Sequence, residues 1–583
     1  MTHAGVTQAG VKWYARGPVA VASAVSAIYA ALLLLHAPWL RLPYFWDEAG
    51  YYIPAAHDLF LNGWLIPQST ISTSHPPLPQ LYLAACWKLF GYSPLVTRAA
   101  MLLVAALGIF GVYRLGRRLT SRQVAAGAAA ITAVYPVVFA QSSLAHADMM
   151  AFALTLWGLE LYFSDQPPGG DKLHFAEEPP GGVRLWRAAA VFALAALAKE
   201  TAIVTPAALA VFEMCGPEMS GAKLGGAPLQ AGLRWRGRIR RALWLLAPAL
   251  PLAAWLFYLW ARTGSFIGSP EFVRYNVGAT AHPLRILLAL PLRLWQVLGY
   301  MGLWSLTALA AAAMRMPPLF DEALGAERPR IALRAQLAMA AVVAAHIVLH
   351  SIIGGAVLAR YMMVTAPLVA LISVSTLWRR VAAWPWALAT VAVIMISGWF
   401  LNPPYRFAPE DNLNYVDHVR LHQQAAALVE QRYAHARVLT AWPASDELTK
   451  PYLGYVKQPL AVVRVENFTA EQMAAAQSAS YDLALVFSTK YEPPQRLRWA
   501  LWERLTERYF DYHRDLPPQA IAGILHGQVV MLASRNGQWV ALISFERDFV
   551  AQKLASLQAG DGARVEVRPA GARGGKHPGT SSP

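Results

Sequence analysis

Long apolar runs recur along this chain, and they constrain its fold more than any other feature. Hydrophobic residues make up 56% of the 583 residues and charged residues only 14%. Runs of helix-spanning length predict a polytopic α-helical membrane protein with about 11 to 13 transmembrane helices. The predicted crossings lie roughly at 18 to 38, 95 to 114, 123 to 141, 146 to 163, 186 to 198, 201 to 214, 241 to 261, 284 to 314, 333 to 351, 359 to 377 and 383 to 401.

The basic residues predict how these helices are oriented. The net charge is +16, but Lys and Arg cluster in alternate connections between apolar runs, for example at 114–122, 234–241 and 379–380. Such a bias marks the cytoplasmic side, so the basicity indicates orientation and not nucleic-acid binding. Residues 1–17 are then cytoplasmic. The acidic pair that follows the first span and everything after residue 402 lie on the outer side.

A change of composition near residue 402 predicts a second domain. We expect a transmembrane domain over 18–401, a soluble α/β domain with a largely parallel sheet over 402–555, and a disordered tail over 556–583. Predicted strands at 438–442, 460–465 and 483–487 alternate with helices. Asn536-Gly537 between two apolar runs predicts a β-hairpin.

Carboxylates at predicted membrane surfaces are the first candidate functional residues. Asp47 and Glu48 follow the first span directly, and a carboxylate at that position suits proton transfer. The alternative is a solvated loop charge beside aromatic interface anchors. Asp148 opens the fourth span at its outer end, where capping of the helix N-terminus is an equally physical explanation.

Ionisable residues within apolar stretches are the second group of candidates, because charges there are costly. Lys199-Glu200 interrupts such a stretch, although the two could simply form an ion pair with each other at a turn. Arg360-Tyr361 begins the tenth span, where the guanidinium could hold a phosphate or extend to lipid headgroups.

Two further candidates lie between the first and second spans or just after. Arg98 begins the second span and could also bind phosphate, while His75 precedes an interfacial helix at 80–90 and by itself is more typical of a surface residue. We predict no metal-binding residues. A divalent cation held by paired carboxylates is left open.

In their order along the chain, these features resemble the GT-C membrane glycosyltransferases, specifically the bacterial branch similar to protein O-mannosyltransferases and to the aminoarabinose transferase of lipid A. The resemblance covers roughly 18 to 401. It rests on Asp47-Glu48 with Tyr51-Tyr52, His75-Pro76-Pro77-Leu78, Arg98, Asp148, Lys199 and Arg360-Tyr361. The chain departs from the members that act on lipid A, since it has Ser74-His75-Pro76 where those have Glu-Lys-Pro.

The resemblance implies transfer of a sugar, with inversion, from a polyprenyl phosphate donor to a protein, lipid or polysaccharide acceptor at the outer face of the bacterial inner membrane. Asp47 would be the general base, and Glu48 or Asp148 would position hydroxyl groups. The implied substrate-binding residues are His75, Arg98, Lys199, Glu200, Arg360 and Tyr361, of which Arg98, Lys199 and Arg360 would stabilise the departing phosphate.

Two other classes of function fit a polytopic chain with these charges. A flippase or transporter for lipid-linked sugars would line a path with intramembrane charges, but here they cluster at one face and are sparse at depth. A non-catalytic scaffold that displays the α/β domain predicts that Asp47 can be replaced without consequence.

Overall fold

The computed structural model describes residues 18–164, 185–216, 223–224, 227–228, 231–270, 282–322, 325–353, 356–476, 480–492, 500–510, 512 and 514–545. The chain divides into two compact units. The first comprises Met1–Tyr415 and Pro493–Tyr512, and the second comprises Val416–Glu492 and His513–Pro583. The predicted cytoplasmic N-terminus and disordered tail lie outside the described residues.

The first unit is helical. Its α-helices are Pro18–His36, Ile53–Asn62, Leu78–Phe90, Pro94–Leu119, Arg122–Val134, Pro136–Gln141, Ala147–Ser164, Leu185–Ala198, Val204–Cys215, Ala231–Leu246, Ala249–Thr263, Pro283–Leu298, Leu303–Ala313, Leu333–Ile352, Thr365–Arg380, Trp384–Ser397 and Ala500–Phe510. Two pairs of two-residue strands, Lys223–Leu224 with Ala227–Pro228 and Phe320–Asp321 with Ala326–Glu327, form small antiparallel ladders.

Helices of membrane-spanning length and hydropathy confirm the membrane class. Among the described residues, five stretches are long and apolar enough to cross a bilayer: Val19–Trp39, Pro94–Leu119, Trp235–Thr263, Pro283–Ala313 and Leu333–Ile352. Leu185–Ala198 and Trp384–Ser397 are apolar but shorter. The number of crossings therefore stays a prediction, because several predicted spans are built from shorter helices.

Breaks within the predicted spans have local causes. The predicted run at 123–141 is two helices, and the second begins at Pro136, whose ring fixes the backbone and cannot donate a hydrogen bond. The run at 284–314 is interrupted after Leu298, where Met301 and Gly302 both adopt positive φ. A left-handed residue ends an α-helix, so the chain changes direction there.

Close helix packing organises the core around the loops that carry the acidic residues. The helix Pro94–Leu119 packs against Ala147–Ser164, which in turn packs against Leu185–Ala198. At the second contact a Cβ on Gly158 would lie 2.5 Å from the Phe192 ring, so only glycine permits this approach. These helices place Arg98, Asp148 and Lys199 near one another at their ends.

The second unit contains a five-stranded mixed sheet. In spatial order its strands are Val462–Val465, Val438–Ala441, Leu483–Phe487, Gln538–Ser544 and Gln528–Arg535. The first three are parallel, whereas the last two join antiparallel, so the sheet is less uniformly parallel than the sequence predicts. The Asn536-Gly537 hairpin is confirmed, and both residues have the positive φ that such a two-residue turn needs.

Helices complete the second unit. They are Ala444–Thr449, Ala470–Ala476, Pro518–Leu525 and the helix Asn414–Arg432, which begins at the end of the first unit. The strand Leu483–Phe487 is buried along its whole length, as is typical of the centre of a sheet that is covered on both faces.

Candidate active site

A sharp turn after the first helix presents the two adjacent carboxylates to different surroundings. Trp46 has a φ of 37°, a strained left-handed conformation for a residue with a bulky side chain. Asp47 follows it, and a π-helical turn over Glu48–Tyr52 then leads into the helix Ile53–Asn62. Strain and π-helical turns of this kind are concentrated at functional sites.

Glu48 is fully buried and is used to hold loops together. Its carboxylate forms an ion pair of 3.2 Å with Arg98, whose side chain is also fully buried. It also accepts hydrogen bonds from the backbone N–H groups of Phe45, at 2.9 Å, and Ala145, at 2.6 Å. Arg98 donates in addition to the carbonyls of Pro43 and Ser143. This pair locks the first loop to the loop that precedes Asp148, and the position favours a structural role for both residues.

Asp47 lies instead at the edge of a cluster centred on Arg360. The Asp47 side chain keeps 20% of its surface exposed and forms an ion pair with Arg360, which is 3% exposed. Arg360 also pairs with Glu410 at 2.7 Å and lies 3.6 Å from the carboxylate of Asp148. A single guanidinium therefore faces three carboxylates, of which only Asp47 reaches solvent to this extent.

Lys199 is the second cation of this cluster, which we call the Arg360 cluster. Its ammonium lies 2.5 Å from the carboxylate of Asp148 and 4.2 Å from the centre of the Tyr361 ring. Lys199 thus pairs with Asp148 and not with its neighbour Glu200, so the ion pair between adjacent residues considered from the sequence is not formed. The structure brings together Asp47, Asp148, Lys199, Arg360 and Tyr361.

His75 and Glu200 form a separate pair beside the cluster. The His75 Nδ1 atom lies 2.9 Å from the Glu200 carboxylate, and both side chains are partly exposed. The ring of Tyr52 connects this pair with the cluster, because it stacks 5.8 Å from His75 and 5.6 Å from His146. A groove next to His75 is lined by Tyr51, Trp64, Ile66, Pro77, Trp255 and Leu259.

Two members of the site were missed by the sequence interpretation. Glu410 lies in a segment assigned to the soluble domain, yet it is buried against Arg360. Burial raises the pKa of Glu410 to about 8, in spite of the opposing effect of Arg360. The Nδ1 atom of His146 lies 3.1 Å from the Arg360 guanidinium and 2.8 Å from Oε1 of Gln141, so it accepts from Arg360 in one tautomer and donates to Gln141 in the other. Glu410 could have been noticed in the sequence, because the acidic dipeptide Glu410-Asp411 lies shortly after the last apolar run.

Arg293 is a third residue that the sequence interpretation missed. It is fully buried and donates to the carbonyls of His350 and Leu358 and to the side chain of Gln296. Among the described residues no carboxylate pairs with it, so its charge is stabilised by dipoles alone. Its guanidinium lies 5.8 Å from the centre of the Tyr361 ring, which places a further positive charge beside the Arg360 cluster.

Three carboxylates of the site face cations that are already part of the protein. Asp47, Asp148 and Glu410 share Arg360 and Lys199. Among the described residues, only His418, His422 and Glu447 have ligand atoms grouped closely enough to bind a metal ion, and all three belong to the second unit. Binding of a divalent cation by carboxylates of the first unit, which the sequence leaves open, is not tested by this arrangement.

Comparisons with known proteins found similarity both to a family model and to solved structures. A family model described as dolichyl-phosphate-mannose-protein mannosyltransferase matches residues 74–220, a range that holds His75, Arg98, Asp148 and Lys199. The crystal structure of ArnT from Cupriavidus metallidurans bound to undecaprenyl phosphate is similar with a TM-score of 0.51 and 15% identity, over 90% of this chain and 98% of that one. No curated protein matches the sequence.

A more distant likeness links the chain to the Archaeoglobus fulgidus oligosaccharyltransferase in complex with zinc and sulfate. That match has a TM-score of 0.43 and 12% identity, over 89% of this chain and 72% of that chain. At 15% identity the likeness to ArnT shows a shared fold. The family-model match and this fold together confirm the resemblance to the GT-C membrane glycosyltransferases that the sequence predicts.

Proposed function

We propose that this protein is a membrane glycosyltransferase that moves a sugar from a polyprenyl phosphate donor to the hydroxyl group of an acceptor. One observation carries the assignment of roles. Of two adjacent carboxylates, Glu48 is sealed in a buried ion pair, while Asp47 is partly exposed and held by Arg360. A general base must reach the proton that it removes, and Asp47 meets that requirement.

The reaction at this site would be a direct displacement. Asp47 takes the proton of the acceptor hydroxyl, and the hydroxyl oxygen forms a bond to the anomeric carbon of the donor sugar. The bond from that carbon to the phosphate oxygen breaks, and polyprenyl phosphate leaves with the electron pair. Attack opposite the leaving group inverts the anomeric configuration. Arg360 orients the Asp47 carboxylate, and its contact with Glu410 holds Arg360 in place.

The leaving phosphate requires positive charge near the reacting bond, because preorganised cations stabilise charge that develops in the transition state. Lys199 and Arg293 both lie beside the Tyr361 ring. Arg293 has no carboxylate partner among the described residues, so its charge remains available to an anion at this place. We assign the phosphate to this side of Tyr361. The predicted direct phosphate contact of Arg98 is disfavoured by its burial against Glu48.

The groove next to His75 suits a part of a substrate that is both apolar and polar. Aromatic and aliphatic side chains line it, while the His75–Glu200 pair offers hydrogen-bonding groups at one end. We propose that His75 and Glu200 contact sugar or acceptor hydroxyls. We further propose that the site opens to the outer face of a bacterial inner membrane, and that the second unit is an extracytoplasmic α/β domain.

The test is a transfer assay in reconstituted vesicles. The parent and Asp47→Asn are supplied with polyprenyl phosphate sugars and cell-envelope acceptors, and the release of free polyprenyl phosphate is followed. Loss of the base should reduce release by a factor of at least about a hundred. Glu327→Gln is the control, because Glu327 is an exposed acid that pairs with Arg379 in the same unit.

Two results would refute the proposal. One is equal release by the parent and Asp47→Asn. The other is transport of intact donor across the bilayer by both proteins without release of polyprenyl phosphate, which would replace the transferase with the flippase.

A further inference from the structure

Two histidines and a glutamate converge in the interior of the second unit. His418 and His422 lie one turn apart on the helix Asn414–Arg432, so their side chains project from the same face. Glu447 lies on the helix Ala444–Thr449. The three residues are 2% to 3% exposed, which is unusual for ionisable side chains.

The three side chains have the spacing of a metal site. One ligand atom from each lies within 4.8 Å of the ligand atoms of the other two. The Nδ1 atom of His422 is 2.6 Å from a carboxylate oxygen of Glu447, and the two imidazole rings are 4.0 Å apart. Ligands around tetrahedral zinc, with bonds of about 2.0–2.1 Å, lie roughly 3.4 Å from one another. The limit of 4.8 Å on the distances between the ligand atoms is compatible with this value.

Polar atoms in this group are left without hydrogen bonds. The Nε2 atom of His422 and the Oε1 atom of Glu447 are buried and have no hydrogen-bond partner in the described part of the chain. Buried polar atoms are nearly always satisfied, so each such atom calls for a ligand or another cause. A bound cation would accept lone pairs that are otherwise unused.

The surroundings also suit a metal ion. Gln538 hydrogen-bonds His418, and Tyr455 hydrogen-bonds Glu447. Such contacts from outside the ligand set fix the orientation of ligating side chains. The ring of Phe487 lies edge-on 4.6 Å from His422 and excludes water from that side.

We propose that His418, His422 and Glu447 bind a divalent transition metal ion, with zinc as the best fit to two imidazoles and one carboxylate. A water molecule would take the fourth position. The ion would join the helix that carries the histidines to the helix that carries Glu447, and so stabilise the second unit. This site is separate from the Arg360 cluster and does not depend on the proposed transfer reaction. It replaces the expectation of no metal-binding residues, and its signal in the sequence is the spacing His418-x-x-x-His422.

A metal-free hydrogen-bonded group is the competing explanation, and measurement of bound metal separates the two. The full-length protein is purified in detergent without chelator, and its zinc content is measured by mass spectrometry. We expect about one zinc per chain in the parent. Glu447→Gln and His422→Gln, which keep similar side-chain volumes, should retain less than about a tenth of it.

His435→Ala is the matched control, because His435 lies in the same unit and is exposed. It should keep the full zinc content. Cobalt added to the metal-depleted parent should give the visible absorption of a tetrahedral site, and this absorption should be absent in Glu447→Gln. Zinc should also raise the unfolding temperature of the parent and leave that of Glu447→Gln unchanged.

The unfolding temperature guards against misinterpretation of an unfolded variant. If Glu447→Gln is monodisperse, shows a cooperative unfolding transition and still binds zinc as the parent does, the proposal is overturned. It is also overturned if the parent, after exposure to excess zinc and removal of unbound metal, holds less than about a tenth of an equivalent.

Discussion

Two acidic dipeptides of the first unit each direct one carboxylate to Arg360, but the two carboxylates differ in their exposure to solvent. In Asp47-Glu48 and in Glu410-Asp411, one carboxylate pairs with Arg360 and the other is tied up elsewhere. Glu48 pairs with buried Arg98, and Asp411 accepts a hydrogen bond of 2.6 Å from Tyr300. In the first dipeptide the residue that pairs with Arg360, Asp47, is partly exposed. In the second dipeptide the corresponding residue, Glu410, is buried.

The Arg360 guanidinium therefore contacts one accessible carboxylate and one buried carboxylate. Asp47 is partly exposed, as the proposed general base must be, while Glu410 is buried and holds Arg360 from the other side. Burial raises the pKa of Glu410 to about 8, so at neutral pH the buried member is largely protonated. The charge of Arg360 is then directed mainly to Asp47 and Asp148.

The largest expected effect is on stability and concerns Glu48→Gln. Removal of one partner from a buried ion pair leaves Arg98 as an uncompensated charge, which costs about 3–5 kcal/mol. We expect a large fall in the unfolding temperature in detergent. Asp47→Asn is the adjacent control and should change it little, because Asp47 is partly exposed. Equal destabilisation by both variants would contradict the contrast between the two neighbours.

The next effect is on activity and compares the two partners of Arg360. Asp47→Asn should lower polyprenyl phosphate release at pH 7 about a hundredfold, which corresponds to about 2.7 kcal/mol in the barrier. Glu410→Gln should lower it less than about threefold, since glutamine resembles the protonated carboxyl group in shape and charge. If Glu410→Gln is as inactive as Asp47→Asn, Glu410 acts in its ionised form and its assignment as a positioning residue fails.

A smaller effect concerns the pH dependence of stability. Between about pH 4.5 and 8 the folded chain keeps a proton on Glu410 that the unfolded chain releases, so stability falls as the pH rises and levels off above 8. Glu410→Gln should remove this contribution, so the variant should lose stability less steeply than the parent across that window. The measurement is the unfolding temperature of both proteins from pH 5 to 8.5.

Asp411 adds a pH effect of the same sign that the Glu410→Gln variant retains. Burial raises the pKa of Asp411 to about 6, so its contribution is lost between about pH 4 and 6. Parallel curves for the parent and Glu410→Gln above pH 6 would show that Glu410 is ionised at neutral pH, against our expectation.

The smallest effect is expected for Tyr300→Phe. It removes the hydrogen bond to Asp411 and should cost about 1 kcal/mol, with activity close to that of the parent. Tyr300 contacts the member of the second dipeptide that does not face Arg360. A loss of activity of more than tenfold would show that this dipeptide works as one unit.

The sequence predicts which residues form the Arg360 cluster better than it predicts their partners. Asp148, Lys199 and Arg360 stand out because charged side chains in apolar surroundings are costly. Their pairing depends on which helix ends meet: Asp47 and Arg360 are 313 positions apart, and no local pattern reveals such a contact. The predicted membrane class follows from hydropathy alone, whereas the helix breaks depend on local backbone conformation, as at Met301.

The structure differs from the sequence interpretation at Glu48 and at Glu410 in opposite directions, and both differences have one cause. The family resemblance implies that Glu48 or Asp148 positions hydroxyl groups, but the Glu48 side chain is directed into a buried pair with Arg98. Glu410 is assigned to a soluble domain because its segment is polar in composition, yet it is buried. Composition reports the average environment of a segment, and burial is decided for each side chain by the tertiary fold.

The contact between Arg360 and Glu410 has a consequence for biosynthesis. A chain that has emerged from the ribosome only as far as residue 401 contains Asp47, Asp148, Lys199 and Arg360, but it lacks one wall of the site. The guanidinium then has one anchor fewer, and its orientation toward Asp47 is not yet fixed. The Arg360 cluster is therefore complete only after the segment beyond the last apolar helix has been synthesised and folded back.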